Sequence, residues 1–463
     1  GPRRGNLRSS GLTAMTDIFL RNLGWITAVL VLTTVGLLLL ARIPLRYNIR
    51  NLRVRWIPTT LTALAFTAVI ALLTVMLAFV SGMVRLTQMT GHPGNVLIID
   101  ESSNDEAFSN IAASDVGDLV NLPGLVREGG RSWVSMETYL VVNQLLPHAR
   151  AGRPNRRFLQ IRGVDDVRMT ALVHELGLQP GGDWFSSAGV REIVGPNGQT
   201  ITAIEAVLGE GIAREMARDR SPEELAQAKS PETLLPGDIF FLGDRTWYVC
   251  GLLQSAGTTF DSEVWVKRSL AASIFGKNTY TTVVARTPNA KTAKQLCDYI
   301  NTQYKKAAVR ALLEKEYFTS LQETNQQLLV AISFVAVILA VGGVFGVMNT
   351  MFAAVSQRTA DIGVLRLLGF SRWQILGSFL LESLLIALVG GVLGCALGSL
   401  SHGWTANSIV SSGQGGGKFV VLRLVVDAGT LAAGMTLALA MGAVGGLAPA
   451  WRATRLRPLE ALT

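Results

Sequence analysis

Few residues in this chain have the type and spacing that chemistry needs. The nearest approach to a phosphate-binding loop is "SSGQGGGKFV", which ends its glycine run at Lys418. Such a loop needs G-x-x-x-x-G-K-[ST], so that backbone N–H groups cradle phosphates and a hydroxyl holds Mg2+. Ser412 stands where the first glycine belongs, and Phe419 where the hydroxyl belongs. The stretch reads as a flexible glycine linker. His174-Glu175 is followed at 178 by leucine, where a zinc-binding pair would need its second histidine. The four histidines, His92, His148, His174 and His402, show no ligand or triad spacing, and Cys250, Cys297 and Cys395 give no metal pattern. No catalytic, cofactor-binding or metal site is expected on this chain. One more candidate is Glu382, an acid well inside an apolar run. A charge in lipid costs at least ~2.5 kcal/mol, so Glu382 should meet protein, water or an arginine. A proton relay and a structural polar contact are the two readings, and the second is preferred because one acid lines a polar path poorly.

The elements that must position these residues are membrane helices. Of 463 residues, 49% are hydrophobic and 16% charged, with a mean hydropathy of +0.36, too apolar for an ordinary soluble protein. Uncharged runs cover 23–41, 57–84, 328–357 and 428–451, and a fifth, 373–400, is broken only by Glu382. Spanning takes ~20 apolar residues, so 23–41 is marginal. The net charge of +9 does not point to nucleic acid. Loop 42–56, segment 357–372 and tail 452–463 together carry eleven arginines against two acids. Arginine in short loops beside spans marks the cytoplasmic side, and these three pieces lie an even number of spans apart. Residues 85–327 and 401–427 are then outside. The arginines of residues 1–22 fit this pattern less well, and the opening Gly1-Pro2 reads as a tag remnant or the start of a fragment.

The outside stretch reads as α+β. Strand-like runs stand at 95–100, 157–164, 238–243, 246–253, 262–267 and 281–286, and helical patterns at 167–177, 208–219 and 290–325. The last, read without a break, gives a stalk helix 290–327 running into the next span. Cys250 and Cys297, both outside, could pair or stay buried and free. Gly342-x-x-x-Gly346, Gly390-x-x-x-Gly394-x-x-x-Gly398 and Gly442-x-x-x-Gly446 predict close helix packing, as a tight bundle or a dimer seam.

Between two spans lies "SQRTADIGVLRLLGFSRWQILGSFLLES". A short helix runs from Arg358 to Leu368. Gly369 follows where a left-handed stop would sit. Ser371 and Gln374 then form a capping box, with Phe370 and Ile375 placed to staple it. A short helix along the cytoplasmic face can take a push from a partner, or simply anchor on anionic lipid.

This stretch resembles the signature of the FtsX/MacB-type (LolC/E-like) ABC transporter permeases at Arg358, Thr359, Asp361, Ile362, Gly363, Leu365, Arg366, Leu368, Gly369, Ile375 and Glu382. Asp361 stands where that family usually has Glu, and Leu367 where Ala is common. The tail "APAWRATRLRPLEALT", the opening "YNIRNLRVRWIPTTLTAL", and "VLGEGIARE", "PGDIFFLGDRTWYVCGLL" and "GTTFDSEVWV" are similar to the same family, in the same order. The resemblance implies an α-helical membrane protein with four core spans (57–84, 328–356, 373–400 and 428–451). A large α+β extracytoplasmic domain (85–327) is inserted between the first and second. Helix 23–41 would be an extra N-terminal span.

It also implies an inner-membrane permease without its own ATPase. ATP and Mg would be held by a separate ATP-binding subunit. Segment 358–369 (Arg358, Thr359, Asp361, Ile362, Gly363, Leu365, Arg366, Gly369) would couple to that subunit. A second permease copy or paralogue, the lipid bilayer and, in some systems, a periplasmic adaptor would be the other partners. Mechanotransmission would move outer domains to export or release a lipidic, peptide or drug-like cargo. The alternative is a signalling regulator of an extracellular cell-wall hydrolase, with no transport.

Overall fold

The computed structural model describes residues 50, 54, 56–146, 156–194, 198–255, 257–321, 323–410 and 418–455. The segments expected at 1–22 and 23–41, most of loop 42–56 and the end of the tail lie outside the described residues. Among the described residues four helices are long and apolar enough to cross a membrane. The chain divides into two compact units. One takes residues up to 81, 328–404 and from 424 onward; the other takes 82–327 and 405–423.

In chain order the elements are α1 (Trp56–Met89), β1 (Asn95–Asp100), α2 (Ala113–Leu119), β2 (Arg127–Glu128), β3 (Arg131–Ser132), β4 (Val134–Leu145), β5 (Arg156–Val164), α3 (Val167–His174), β6 (Val190–Val194), β7 (Thr200–Leu208), α4 (Glu210–Ala217), α5 (Pro222–Gln227), β8 (Ile239–Leu242) and β9 (Arg245–Leu252). There follow β10 (Glu263–Lys267), α6 (Arg268–Phe275), β11 (Thr282–Arg286), α7 (Ala290–Thr302), β12 (Val309–Leu313), α8 (Glu314–Ser320), α9 (Glu323–Ser356), α10 (Thr359–Leu367), α11 (Arg372–Ser399), β13 (Thr405–Val410), β14 (Lys418–Arg423) and α12 (Ala428–Thr454).

The outer unit is built on one ten-stranded mixed sheet, ordered β12-β1-β11-β4-β5-β10-β7-β9-β8, with β6 beside β7. Strand alternation builds two cores on it. Leu159 and Ile161 of β5 join Ile204, Trp247, Val249, Val264 and Met216 in one. Val96, Ile98, Val283, Ala285, Leu296 and Ile300 form the other, under α7.

The expected stalk helix 290–327 is corrected. α7 stops at Thr302, and residues 309–313 form strand β12, which pairs antiparallel with β1 from Leu313 opposite Val96 to Val309 opposite Asp100. "VRALL" has ample helix propensity, but without it β1 would be an edge with unpaired backbone groups. Pairing there satisfies the facing groups of both strands and buries Val309 and Ala311, which outweighs local preference. The helix that enters the membrane therefore starts only at Glu323.

The glycine stretch is described only at its end. Residues 411–417 lie outside the described residues, but Lys418 opens β14, which pairs with β13 in a hairpin. That hairpin belongs to the outer unit although it is inserted between the last two spans. It is fastened there by Val421 N–H donating to Ser262 Oγ at 2.8 Å and Arg218 donating to Thr405 Oγ1 at 2.8 Å. Cys250, Cys297 and Cys395 are free, so the disulfide alternative is not realised.

In the membrane unit, glycines set how closely helices approach. A Cβ at Gly390 would come within 2.5 Å of Phe66 Cβ, at Gly394 within 2.7 Å of Ile70 Cβ, and at Gly398 within 2.5 Å of Thr74 Cβ. These three glycines seat α11 on α1. Gly442 and Gly446 of α12 likewise meet Ala387 and Ser383 of α11. Gly342 and Gly346 meet no atom within 4 Å; Gly343 instead faces Met441, and Gly445 faces Val347. Within the chain, then, the α9 contact is made by Gly343, and Gly342 and Gly346 are left without an intrachain neighbour. Gly342 and Gly346 line an open apolar groove of about 550 Å3 with Leu61, Phe66, Val69 and Ile338. Overpacking a tight seam costs ~1–3 kcal/mol. Gly394→Leu is therefore expected to lower the melting temperature of the detergent-extracted protein by several degrees, while Gly346→Ala leaves it unchanged. Equal shifts in the two melts would contradict this seam assignment.

Candidate functional site

The short helix between the second and third apolar spans is built by local rules. Arg358 is not helical (φ −119°, ψ 22°), so the chain bends there after α9. α10 then runs nine residues and stops at Gly369, whose φ of +92° a side chain would strain. Gly369 N–H donates to Arg366 O at 3.2 Å and Phe370 N–H to Leu365 O at 3.1 Å, the paired bonds of a Schellman stop. One residue later Ser371 Oγ accepts from Gln374 N–H at 3.3 Å while Gln374 Oε1 accepts from Ser371 N–H at 2.8 Å. Helix, turn and next helix are thus joined without slack.

The residues proposed from sequence divide by face. Ile362 and Gly363 are buried; Thr359, Leu365 and Arg366 are half-buried; Asp361 and Gly369 are exposed. Arg358 is buried as well. Its Nη1 donates to Glu382 Oε2 at 3.1 Å, and its Nη2 lies 3.5 Å from Oε1, with both side chains under 10% exposed. Glu382 therefore makes a structural polar contact, and its partner is the signature arginine ahead of α10. The outward face carries Val364, Leu367 and Leu368, exposed by 45%, 64% and 71%. They sit at i, i+3 and i+4, so they form one apolar stripe. Sequence reading missed this stripe because its residues look like core positions of an amphipathic helix.

The outer unit holds a second cluster that sequence reading missed entirely. Arg162 of β5 is buried, its phase in the strand opposite to Leu159 and Ile161. Its Nε and Nη2 donate to both oxygens of Glu263 at 2.6 and 2.7 Å, and Nη2 also reaches Glu106 Oε2 at 3.1 Å. Nη1 bonds Glu137. Glu137 also meets His174 Nε2 at 2.7 Å, and His174 Nδ1 lies 3.0 Å from Glu314 Oε1. Lys418 of β14 enters from the hairpin, 3.3 Å from Glu106 Oε1, with its ammonium 4.5 Å from the Tyr139 ring centroid and 4.9 Å from that of Phe318. All seven ionisable side chains are almost fully buried. The sequence signal was a charge at the inward phase of a strand: Glu137 in "VSMETYLVV", Arg162 in "RFLQIRGV", Glu263 in "SEVWVK" and Lys418 in "KFVV".

Burial disfavours charge on each group, and the partners decide the outcome. For Glu137, burial pushes the carboxyl up, but Arg162 and His174 outweigh it and hold it well below the usual range. For Glu106, burial prevails over Lys418 and Arg162 and the carboxyl is raised. For His174, burial is outweighed by Glu137 and Glu314, which push the imidazole up to about 9. Both ring nitrogens face carboxylates, which suits an imidazolium with two donors. A raised histidine stabilises the fold fully below its unfolded value near 6.5 and loses that contribution as pH climbs toward about 9. The outer domain should therefore melt at progressively lower temperature between pH 6.5 and 9.5. In His174→Gln that decline should flatten. The raised carboxyl of Glu106 loses its contribution in the same direction, as pH rises above the ordinary carboxylate range, and it is common to both proteins, so their difference isolates the histidine; parallel curves would refute the assignment. Among the described residues no group of His, Cys, Asp and Glu is arranged to hold a metal.

The comparisons agree with this architecture. Residues 59–303, more than half the chain, match the MacB-like periplasmic core domain, and residues 333–458 match the FtsX-like permease C-terminal family. The syringafactin export ATP-binding/permease protein SyfD of Pseudomonas syringae is 28% identical over 240 residues, covering 49% of this chain and 34% of that protein. A macrolide export ATP-binding/permease protein MacB of Shewanella is 27% identical over 287 residues, 58% of this chain and 42% of that protein. The ABC transporter permease YknZ of Bacillus subtilis is 26% identical over 275 residues, 58% of this chain and 65% of that one. The chain thus spans a third to two thirds of the length of these relatives. Among solved structures, the extracellular domain of a YknZ transporter from Gram-positive bacteria aligns with 47% of this chain and 99% of its own, at TM-score 0.30 and 16% identity. The periplasmic region of MacB from Actinobacillus actinomycetemcomitans aligns with 50% of this chain and 94% of its own, at TM-score 0.31 and 12% identity. With both family domains present in order around four apolar helices, this chain belongs to the FtsX/MacB-type ABC transporter permeases, membrane proteins with an extracytoplasmic domain.

Proposed function

We propose that this permease couples ATP hydrolysis on an ATP-binding subunit to movement of its extracytoplasmic domain, and that this movement exports or releases a lipidic, peptide or drug-like cargo. One observation carries the reading. A short helix between two spans, closed by a tight stop and a capping box, leaves an apolar stripe of Val364, Leu367 and Leu368 exposed. Burying a leucine contributes about 1.5–3 kcal/mol, so such a stripe suits a protein partner. Glu382, the one acid well inside a span, is engaged by Arg358, which argues against a polar route through the bundle. Relatives named for syringafactin and macrolide export favour export over regulation of a cell-wall hydrolase. The plasma membrane, with the large domain outside it, is the location that goes with this reading. A second permease copy, and a periplasmic adaptor for an efflux cargo, are part of the same proposal.

The ATP-binding unit is proposed as a separate chain. YknZ, named as a permease alone, supports this, whereas the two export relatives carry both functions in one name. The test is purification of the protein from native membranes through a tag in the outer domain, followed by an ATPase assay. A separate nucleotide-binding protein in the eluate, with ATPase activity, is the expected result. Activity within the same polypeptide would overturn the separate-chain statement. An eluate without ATPase activity would overturn the coupling proposal itself.

A further inference from the structure

We infer that Arg358 and Glu382 form a clasp that makes α10 and the first three turns of α11 one rigid bracket. Arg358 is thus a positioning residue for coupling, not part of the surface that meets the partner. This deepens the function proposed above and rests on it for its consequence, but not for its geometry.

The geometry is a closed triangle. At its C-terminal end α10 is fixed to α11 through Gly369 and the Ser371–Gln374 box. Midway, buried Ile362 packs with Ile375 and Phe379, but the start of α10 is a bend, where Arg358 leaves the helical region, and apolar packing alone would let that end slide. The clasp supplies a directional attachment at that end. α10 has nine residues, about 13 Å of helix, and Glu382 lies ten residues into α11, about 15 Å along it. The two sides are nearly equal in length, and the Arg358–Glu382 contact closes the gap between their free ends. A load on the outward stripe of α10 then has to move α11 bodily, since the angle between the two helices is held at both ends. Burial gives the clasp its force. Each side chain is less than 10% exposed. Removing Glu382 therefore strips the buried guanidinium of its carboxylate, and removing Arg358 takes two anchoring donors from a desolvated carboxylate. Two anchoring donors on a planar guanidinium also fix direction, which a lysine ammonium would do less well.

The experiment reconstitutes the full protein with its ATP-binding subunit in nanodiscs. Outer-domain displacement per ATP hydrolysed is measured alongside retention of the subunit. Arg358→Ala and Glu382→Ala should each cut displacement per ATP at least tenfold, with retention changed less than threefold. Arg358→Lys should hold displacement within about threefold of wild type, and the exchanged pair Arg358→Glu with Glu382→Arg should recover most of what the single variants lose. A merely structural role would lower retention and displacement together. Single variants that keep wild-type displacement per ATP would overturn the clasp. So would an exchanged pair and an Arg358→Lys variant that are both as defective as Arg358→Ala.

A second readout needs neither partner nor nucleotide. Nitroxides at Ala360 and Val389, both exposed, report the α10–α11 angle. The width of their distance distribution should at least double in Arg358→Ala and in Glu382→Ala, and an unchanged width overturns the clasp. If wild type shows no ATP-coupled displacement, the coupling proposal fails, and the widths alone decide the clasp.

Discussion

Arg162→Met should unfold the outer domain of this permease well before the membrane helices are disturbed. Arg162 holds Glu263 by two bonds and also contacts Glu106 and Glu137, all in a site shielded from water. Methionine fills the volume but leaves those carboxylates facing one another. Breaking a buried ion pair from one side costs about 3–5 kcal/mol, a large share of a domain's net stability. Trp265 is a built-in probe, buried in the sheet with its indole N–H donating to Glu263 at 3.0 Å. Its fluorescence, isolated as the difference from a Trp265→Phe control because the chain has nine tryptophans, and followed on heating the full-length protein in nanodiscs, should report a transition lower by ten degrees or more. Lys306→Met removes a pair with Asp118 that is exposed on both sides, and should leave the melt where it was. Adding Glu137→Gln to Arg162→Met should restore part of the loss, since one of the stranded charges is then gone. A wild-type melt for Arg162→Met would mean that the cluster does not hold the domain together.

The second large effect belongs to the stripe on α10. Leu367→Asp together with Leu368→Asp should weaken capture of the ATP-binding subunit about a hundredfold, which is ~2.7 kcal/mol and less than the full burial of two leucines would contribute. Both side chains are more than 60% exposed in the chain alone, so the exchange should leave the fold intact. Surface plasmon resonance with the permease in nanodiscs reads this directly. Unchanged affinity, with an unchanged melt, would move the partner surface elsewhere.

The parts legible in the sequence were those set by neighbours in the chain. The stop at Gly369, the capping box at Ser371 and the strand at 95–100 depend on residues a few positions apart, so pattern alone located them. The stalk was misread because local propensity was all the sequence offered at 309–313. Its decisive partner, β1, lies more than two hundred residues earlier. The charge cluster was illegible for the same reason on a larger scale. Lys418 and Glu106 are 312 positions apart, and no spacing rule joins a glycine-rich hairpin to a short turn near the domain's start. The α9 glycines are a subtler case: the motif is present, but within the chain Gly343, one position along, makes the contact. Small-residue spacing marks a helix as able to pack closely, and its neighbours determine which face is used.

The central claim is that a push on α10 is felt in the extracytoplasmic domain. The most direct measurement is the distance between a label at exposed Asp118 in the outer domain and one at exposed Asp361 on α10. It would be recorded by pulsed electron resonance in the reconstituted complex, without nucleotide and with ATP trapped by vanadate. The account predicts two distinct distance distributions that interconvert with ATP and collapse to one in the Leu367→Asp, Leu368→Asp protein. A single, unchanged distribution in a complex that hydrolyses ATP would contradict it.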